Sequence, residues 1–418
     1  MRRERFAVEL VTPCFLGGAE SSAEWRAASI RGQLRWWLRA VAGATLPLED
    51  VRHLETELFG DTGRSSAVRV RAYEGDGLKP VDDDPRTVRI NAQELARRFG
   101  DPSRETESRL FLKDSKTGSE APSNPIHYLA FGPIAQGKVQ RSYLPAGGKA
   151  SFELIWMRSV SDSARALFQR SLWAWLHLGG IGSRSRKGFG SLRLLSGEGM
   201  KIPQSREELL THMRETLPWV QDDKADLPEW TSFSQRSRIF LGRETQSSWA
   251  DALVTLGSWL IGFRRRYGNK DKDTRTTRAG VPLRDRDYEW AAPKGGSPRA
   301  GMPDRAGFGL PLPFRRKFRD GTSKGETVGW EAPDGDARRA SPLLLHVECL
   351  GKDKYVPVMT YLPARFLPAG GKLTFEGGGR NEKAPPTPMQ LDIVDRFLEH
   401  LLEPPSGLPL IEEVRHGA

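Results

Sequence analysis

Cysteine is nearly absent from this chain: Cys14 and Cys349 are the two in 418 residues. Two cysteines cannot build a disulfide framework or a cysteine-based zinc site. Histidine is sparse too, seven in all, with no HExxH pattern and no cluster with cysteine. No metal, cofactor or small-molecule substrate is therefore expected. Long apolar runs are missing: the best, Trp259 to Phe263, falls far short of the ~20 residues needed to span a bilayer. The N-terminal MRRERFAVEL lacks an apolar core of signal-peptide length and reads as a strand. These shortages lead to the expectation of a soluble, cytoplasmic protein. Acidic residues are outnumbered, 53 against 64 basic, for a formal net charge of +11. That surplus points to a polyanion, nucleic acid first and an anionic membrane surface second.

What is present is loop-rich. Hydrophobic residues make up 38%, while glycine (43) and proline (29) are plentiful. The length suggests two domains. An internal repeat supports that division, since LPAGGKASFE (Leu144 to Glu153) recurs as LPAGGKLTFE (Leu367 to Glu376). Each copy reads as a turn running into a strand, with an amphipathic helix after it, Ser163 to Leu178 and then Met389 to Leu402. Strands are expected at Arg5 to Val11, Ala67 to Tyr73, Phe189 to Leu195, Arg236 to Leu241 and Leu343 to Leu350. Helices are expected at Ser29 to Ala42 and Ser248 to Tyr267. The order fits an α+β chain of two tandem ferredoxin-like β-α-β-β-α-β domains with long loop insertions. The boundaries expected are 1–200, a connector at 201–229, and 230–418. Gly75 to Pro145, with a short helix at Ala92 to Phe99, and Asn269 to Arg339 are the insertions, either functional loops or disorder.

Two constellations carry chemistry. In the helix RAASIRGQLRWWLRAVAG, Ser29 suits an N-cap and Gly43 a stop. Arg31, Arg35 and Arg39 then form a stripe at i, i+4, i+8 beside an apolar face. Such a stripe invites a counterpart, either RNA phosphates or carboxylates within the chain such as Glu55 or Glu57. Trp36, beside the stripe, is read either as packed or as a stacking platform for a base. The second constellation is GGIGSRSRKGFGSL, where five glycines within twelve residues enclose Arg184, Arg186 and Lys187. Glycines such as Gly180, Gly182 and Gly188 let a backbone approach a ligand closely, and the cations suit phosphates. The loop lacks the GxxxxGK[ST] pattern of a nucleotide-binding P-loop. A third basic stretch, FRRRYGNKDKDTRTTR, begins with Arg264 and Arg265; Arg264 to Arg278 holds seven basic and two acidic residues. It is read either as an arm that orders on RNA or as a solvated loop. Acidic runs at Asp82-Asp83-Asp84 and Asp222-Asp223 are read as solvated turns. The RNP1 pattern of RNA-recognition motifs is absent, so sheet-face base stacking is not expected.

Taken together, LVTPCFLGGAE, AASIRGQLRWWLRA, ETELFGD, YLAFG and GGIGSRSRKGFGS resemble the RAMP superfamily of CRISPR proteins. With FGLPLPF and RRASPLLLHV in the second half, the chain is similar to the large head subunit of type III-B (Cmr) effector complexes. The resemblance implies two ferredoxin-like domains and a place at the head of a crRNA-bearing filament. It implies crRNA, target RNA and the other complex subunits as partners, in a non-catalytic RNA-binding role. By analogy the glycine loop and the arginine stripe would line the RNA surface. Two alternatives stay open: a RAMP endoribonuclease that processes precursor crRNA, with His177 beside the loop as its candidate acid or base, and a pure assembly protein.

Overall fold

Alternating burial marks the first strand, β1 (Arg2–Leu10), in which Glu4, Phe6, Val8 and Leu10 point inward while Arg3 and Arg5 stay exposed. The computed structural model describes residues 2–18, 22–82, 111–113, 120–122, 125–135, 138–219, 227–266, 287, 303–317, 323–332, 335–365, 367, 371–377, 382–384, 392–404 and 407–415. The stretch around Ala92 to Phe99 and most of the basic insertion, 267–278, lie outside them.

The first sheet joins β1 to β2 (Val68–Glu74), β7 (Lys149–Trp156) and β8 (Leu192–Gly197) in the order β2-β7-β1-β8, antiparallel throughout. Helices α1 (Ala27–Ala42), α2 (Leu48–Phe59) and α4 (Asp162–Leu178) share the core of this half. Ile30, Leu34, Trp37, Leu38 and Val41 of α1 are fully buried, as the 3.6-residue spacing requires. With Phe6, Phe152 and Trp175 they form one core, where the Phe6 and Phe152 rings stack 5.1 Å apart. Ser29 lies inside α1, not at its cap; Arg26 takes the N-cap without a side-chain bond. In α4 the Ser161 hydroxyl does cap, accepting from the Ala164 amide. Between β2 and β7 come a short helix α3 (Pro125–Leu129) and two hairpins, β3 (Phe111–Lys113) with β4 (Glu120–Pro122) and β5 (Ile134–Ala135) with β6 (Lys138–Val139). Helix α5 (Arg206–Thr216) connects the halves.

The second half repeats the arrangement. Its sheet contains β9 (Arg238–Gly242), β13 (Leu343–Gly351), β14 (Lys354–Tyr361) and β17 (Ile411–Glu413), in the order β13-β14-β9-β17. In both halves the strands thus run second, third, first, fourth. Helices α6 (Trp249–Arg266) and α7 (Asp392–Leu402) cover one face, packing on Phe240, Leu345, Val347 and Met359. The opposite face, with Leu241, Leu344, Val356 and Val358, belongs to the same core as the first half. The second sheet is therefore buried on both sides, and β13 is apolar apart from the buried His346 and Glu348.

The LPAGGK repeat does not mark equivalent strands. The first copy leads into β7 of the first sheet. The strand after the second copy, β15 (Lys372–Gly377), pairs instead with β11 (Ser323–Ala332) in a third sheet. That sheet is completed by β10 (Leu312–Lys317), β12 (Gly335–Ala337) and β16 (Glu382–Ala384) around Phe314, Val328, Trp330 and Leu373. Gly371 of the second copy meets the Trp330 ring, which leaves no room for a Cβ. Part of the expected loop insertion is thus an added sheet with its own small core, preceded by a 3-10 turn at Asp304–Phe308. Among the described residues no helix is long and apolar enough to cross a membrane.

Candidate nucleic-acid interface

The glycine loop leaves α4 at Gly179 and reaches β8 at Leu192, and its backbone is used by the protein itself. The Ile181 amide donates to the Gly190 carbonyl, Ser183 to Phe15, and Gly190 to Pro13. The first closes the loop on itself, and the other two zip it onto the segment that follows β1. On its other side the loop extends the free edge of β13, with Lys187 bridging parallel to Leu345. There the Leu345 amide donates to the Arg186 carbonyl and the Val347 amide to the Ser191 hydroxyl. The loop is the seam between the halves. Gly190, at φ 66°, could not carry a Cβ without overlapping the Ile181 carbonyl. Gly180, Gly182 and Gly188 are likewise closed by Phe189, Phe15 and Leu253. The expectation that these glycines open space for a ligand gives way to tight packing of the chain on itself.

The cations of the loop are a different matter. Arg184 sits in the left-handed region (φ 64°), with its guanidinium against Gly132 of the YLAFG segment. Arg186 lies over the Trp36 ring at 4.9 Å and donates to the Ser341 carbonyl at 2.8 Å. Lys187 lies half-buried between them. Among the described residues none of the three has a carboxylate within ion-pair distance. Burial lowers the Arg184 pKa, and Arg338 and Arg141 lower it further. Burial pulls Arg186 down to about 10. Lys187 comes down to about 8, through burial and then the nearby Arg184 and Arg186. Cations that are desolvated, crowded and uncompensated cost free energy that a bound anion offsets. Sequence reasoning did not nominate Arg141 and Arg338, although both sit in or beside segments it had singled out, the first LPAGGK copy and RRASPLLLHV.

The arginine stripe finds its counterpart inside the chain. Glu55 of α2 accepts from Arg35 Nε at 2.6 Å and from Arg39 Nε at 2.5 Å, with a further bond from Arg39 Nη2 at 2.6 Å. Arg31 donates to the Phe59 carbonyl. Burial alone would raise the Glu55 carboxyl, but the Arg39 and Arg35 hydrogen bonds outweigh it and hold the group below the usual carboxylate range. Of the two counterparts foreseen for the stripe, the internal carboxylate is the one present. Trp36 stands edge-on to Trp37, 4.9 Å between centroids, and under Arg186. The structure thus brings Trp36 to the glycine-loop cations, not to the stripe. Arg264 of α6 covers the Tyr128 ring at 5.5 Å. Arg265 follows in the helix, and its side chain lies outside the described residues.

His177, the candidate for metal-free cleavage, is 1% exposed. Its Nδ1 donates to Glu348 Oε2 at 2.9 Å, and its ring lies 4.4 Å from that of Trp173. His346 approaches the same carboxylate oxygen at 3.5 Å and donates from Nδ1 to the Gly179 carbonyl. Burial would raise Glu348, yet His177 and His346 hold it well below the ordinary carboxylate range. This buried group ties α4 to β13 and offers nothing to a substrate at the surface. Among the described residues no group of His, Cys, Asp and Glu could hold a metal ion.

Comparison with known proteins agrees with these features. Residues 7–193 match the model of the RAMP superfamily. The CRISPR system Cmr subunit Cmr1-2 of Pyrococcus furiosus is 30% identical over 198 residues, covering 45% of this chain and 93% of that protein. Subunit Cmr1-1 of the same organism is 27% identical over 198 residues, 46% of this chain and 47% of its own length. The crystal structure of Cmr1 from Pyrococcus furiosus, in its apo form, aligns over 100% of both chains with a TM-score of 0.52 at 19% identity, and so shares the fold. Through the glycine loop, the segment it zips onto and this match to nearly a whole relative, the chain belongs to the RAMP superfamily.

Proposed function

We propose that this chain is a non-catalytic RNA-binding subunit of a type III-B CRISPR interference complex. It sits at the head of the crRNA filament in the cytoplasm and helps to capture target RNA and to assemble the complex. Its halves, 1–200 and 230–418, are tandem ferredoxin-like domains joined by the 201–229 connector, a reading that the shared strand order supports. The relatives named as Cmr subunits support the assignment to that complex. One observation carries the RNA reading: Arg184, Arg186 and Lys187 are crowded, desolvated and, among the described residues, without a carboxylate partner at the seam of the halves. Phosphates of an RNA backbone supply the missing charge. Recognition by backbone suits a complex whose specificity resides in guide–target pairing.

Substituting Arg184, Arg186 and Lys187 together by Ala should weaken single-stranded RNA binding. The slope of log K against log salt should flatten by roughly 2, at ~0.7 per lost phosphate contact. An unchanged slope would remove the loop from the RNA surface. The endoribonuclease alternative predicts site-specific, metal-free cleavage of repeat RNA that His177→Ala abolishes; the sealed position of His177 argues for no cleavage. RNA cross-links absent from both halves of the assembled complex would favour a pure assembly protein.

A further inference from the structure

The face of the first sheet turned away from its helices carries an array of arginines. In register across β2, β7 and β1, one row reads Arg69, Ile155, Arg3 and the next Arg71, Glu153, Arg5. The third row holds Tyr73, Ser151 and Ala7. All four arginines are exposed, and Tyr73 is 36% exposed. Arg5 stands over the Tyr73 ring at 5.5 Å, and the Tyr73 hydroxyl donates to Glu153 at 2.9 Å. Glu153 is the one acidic residue in these three rows. Among the described residues none of the four arginines has a carboxylate within ion-pair distance; Arg5 has only a long bond to the Ser151 hydroxyl. In the following row Glu9 pairs with Arg193 at 3.8 Å, and Lys149 faces Glu9 across the strands.

The second half supplies an internal control. The corresponding face of its sheet carries Leu241, Leu344, Val356 and Val358 and is buried against the first half. Where this face meets protein it is apolar, and where it is open it is arginine. Four like charges on the two strands that flank β7 repel one another with one carboxylate among them, so solubility alone is a weak reason for the array. Along each strand the paired arginines are ~6.7 Å apart, and β1 and β2 are ~9.6 Å apart across β7. Such a grid meets an extended backbone bearing regularly spaced anions. Although the RNP1 pattern is absent, so that sequence gives no expectation of stacking on this face, the exposed Tyr73 beside the grid offers a base a surface to stack on.

We infer that the open face of the first sheet is a second polyanion-binding surface, taking a single strand of RNA on Arg3, Arg5, Arg69 and Arg71 with a base against Tyr73. It lies towards the opposite end of β1 from the glycine loop, roughly 20 Å away along the strand. It rests on the proposed function only for the identity of the polyanion as RNA.

The test uses the full chain and a fluorescein-labelled oligouridylate, titrated by polarisation at several salt concentrations. Replacing the four arginines by Gln should weaken binding tenfold or more and flatten the salt slope by roughly 3, at ~0.7 per contact. The same four changed to Lys should retain the slope, which shows that the sheet tolerates substitution there. A 4-thiouridine oligonucleotide should cross-link within 69–73. If the Gln variant binds as wild type and no cross-link forms there, the inference fails. Should the glycine-loop triple variant still lose affinity in that case, the proposed function survives; should neither variant lose any, it fails as well. A Gln variant that binds RNA normally but no longer joins the complex would assign the face to an acidic protein neighbour and overturn the inference.

Discussion

Replacing Lys187 by Met should stabilise the free chain and weaken its grip on RNA, two effects of opposite sign from one change. The ammonium is drawn from its usual 10.5 down to about 8 by burial and by Arg184 and Arg186. At 1.36 kcal/mol per pKa unit that depression amounts to roughly 3 kcal/mol against the folded state. The side chain is half-buried, and solvent screens part of the interaction, so about 1–2 kcal/mol is the expected gain. Met keeps the stem and its packing while removing the charge. The sign with pH follows from proton counting. Between 8 and 10.5 the unfolded chain binds the proton that the folded chain has released, so wild-type stability rises with pH across that window. The advantage of the Met variant is therefore full below pH 8 and gone near 10.5. Thermal melts at pH 7 and pH 10 read this directly, with a rise in Tm on the order of 2 °C at pH 7. RNA binding by the wild type should weaken as pH rises through 8, because the phosphate must then recruit a proton to Lys187; binding by the variant should be weaker at pH 7 and flat over that range. A variant with unchanged or lower Tm at pH 7, or with undiminished RNA affinity, would refute the idea of an uncompensated cation kept for an anion.

Two further changes probe the seam. Glu348 is held low by His177 and His346, so its stability contribution is present above the usual carboxylate pKa and is lost as pH falls below it. Urea melts between pH 6 and pH 3 should show that loss in the wild type, and Glu348→Gln should start about 2–4 kcal/mol less stable and flatten the pH dependence. Gly190→Ala combines a positive φ with an overlap on the Ile181 carbonyl and should cost upwards of ~3 kcal/mol. Gly147→Ala, also at positive φ but with open space around it, should cost about 1 kcal/mol. Melting the two variants side by side separates packing from backbone strain, and equal losses would contradict the packing account.

Periodicity carried much of the fold into view. β1 and α1 are legible because alternation and 3.6-residue spacing report burial directly, and both were placed within a few residues. β14 was missed: KYVPVMTY is apolar at almost every position and carries Pro357, so neither alternation nor an uninterrupted strand signal marks it. The second LPAGGK copy misled because identical letters answer to different needs. In the first copy Gly148 lies against the Gly77 carbonyl and the Leu78 side chain, whereas its counterpart in the second, Gly371, makes room for the Trp330 ring. The candidate site divides in the same way. Cationic character is written in Arg184, Arg186 and Lys187, but which cations have a partner is decided by the tertiary structure. Glu55 lies 20 residues from Arg35 and neutralises the stripe, while among the described residues no carboxylate reaches the glycine loop. The arginines of β1 and β2 were invisible as a group until register set them in rows.

The seam also sets an order of events during synthesis. Arg186 is completed by the Ser341 carbonyl, 155 residues further along the chain, and Lys187 by its bridge to Leu345. At translation speeds of ~5–20 residues per second, the loop waits on the order of ten seconds or more for these partners. Until β13 docks, a nascent or truncated chain lacks the wall that crowds and desolvates the loop cations. Charge is present early, but the shaped site proposed at the glycine loop arrives only with the second half, so an unfinished chain could offer RNA the open sheet face alone.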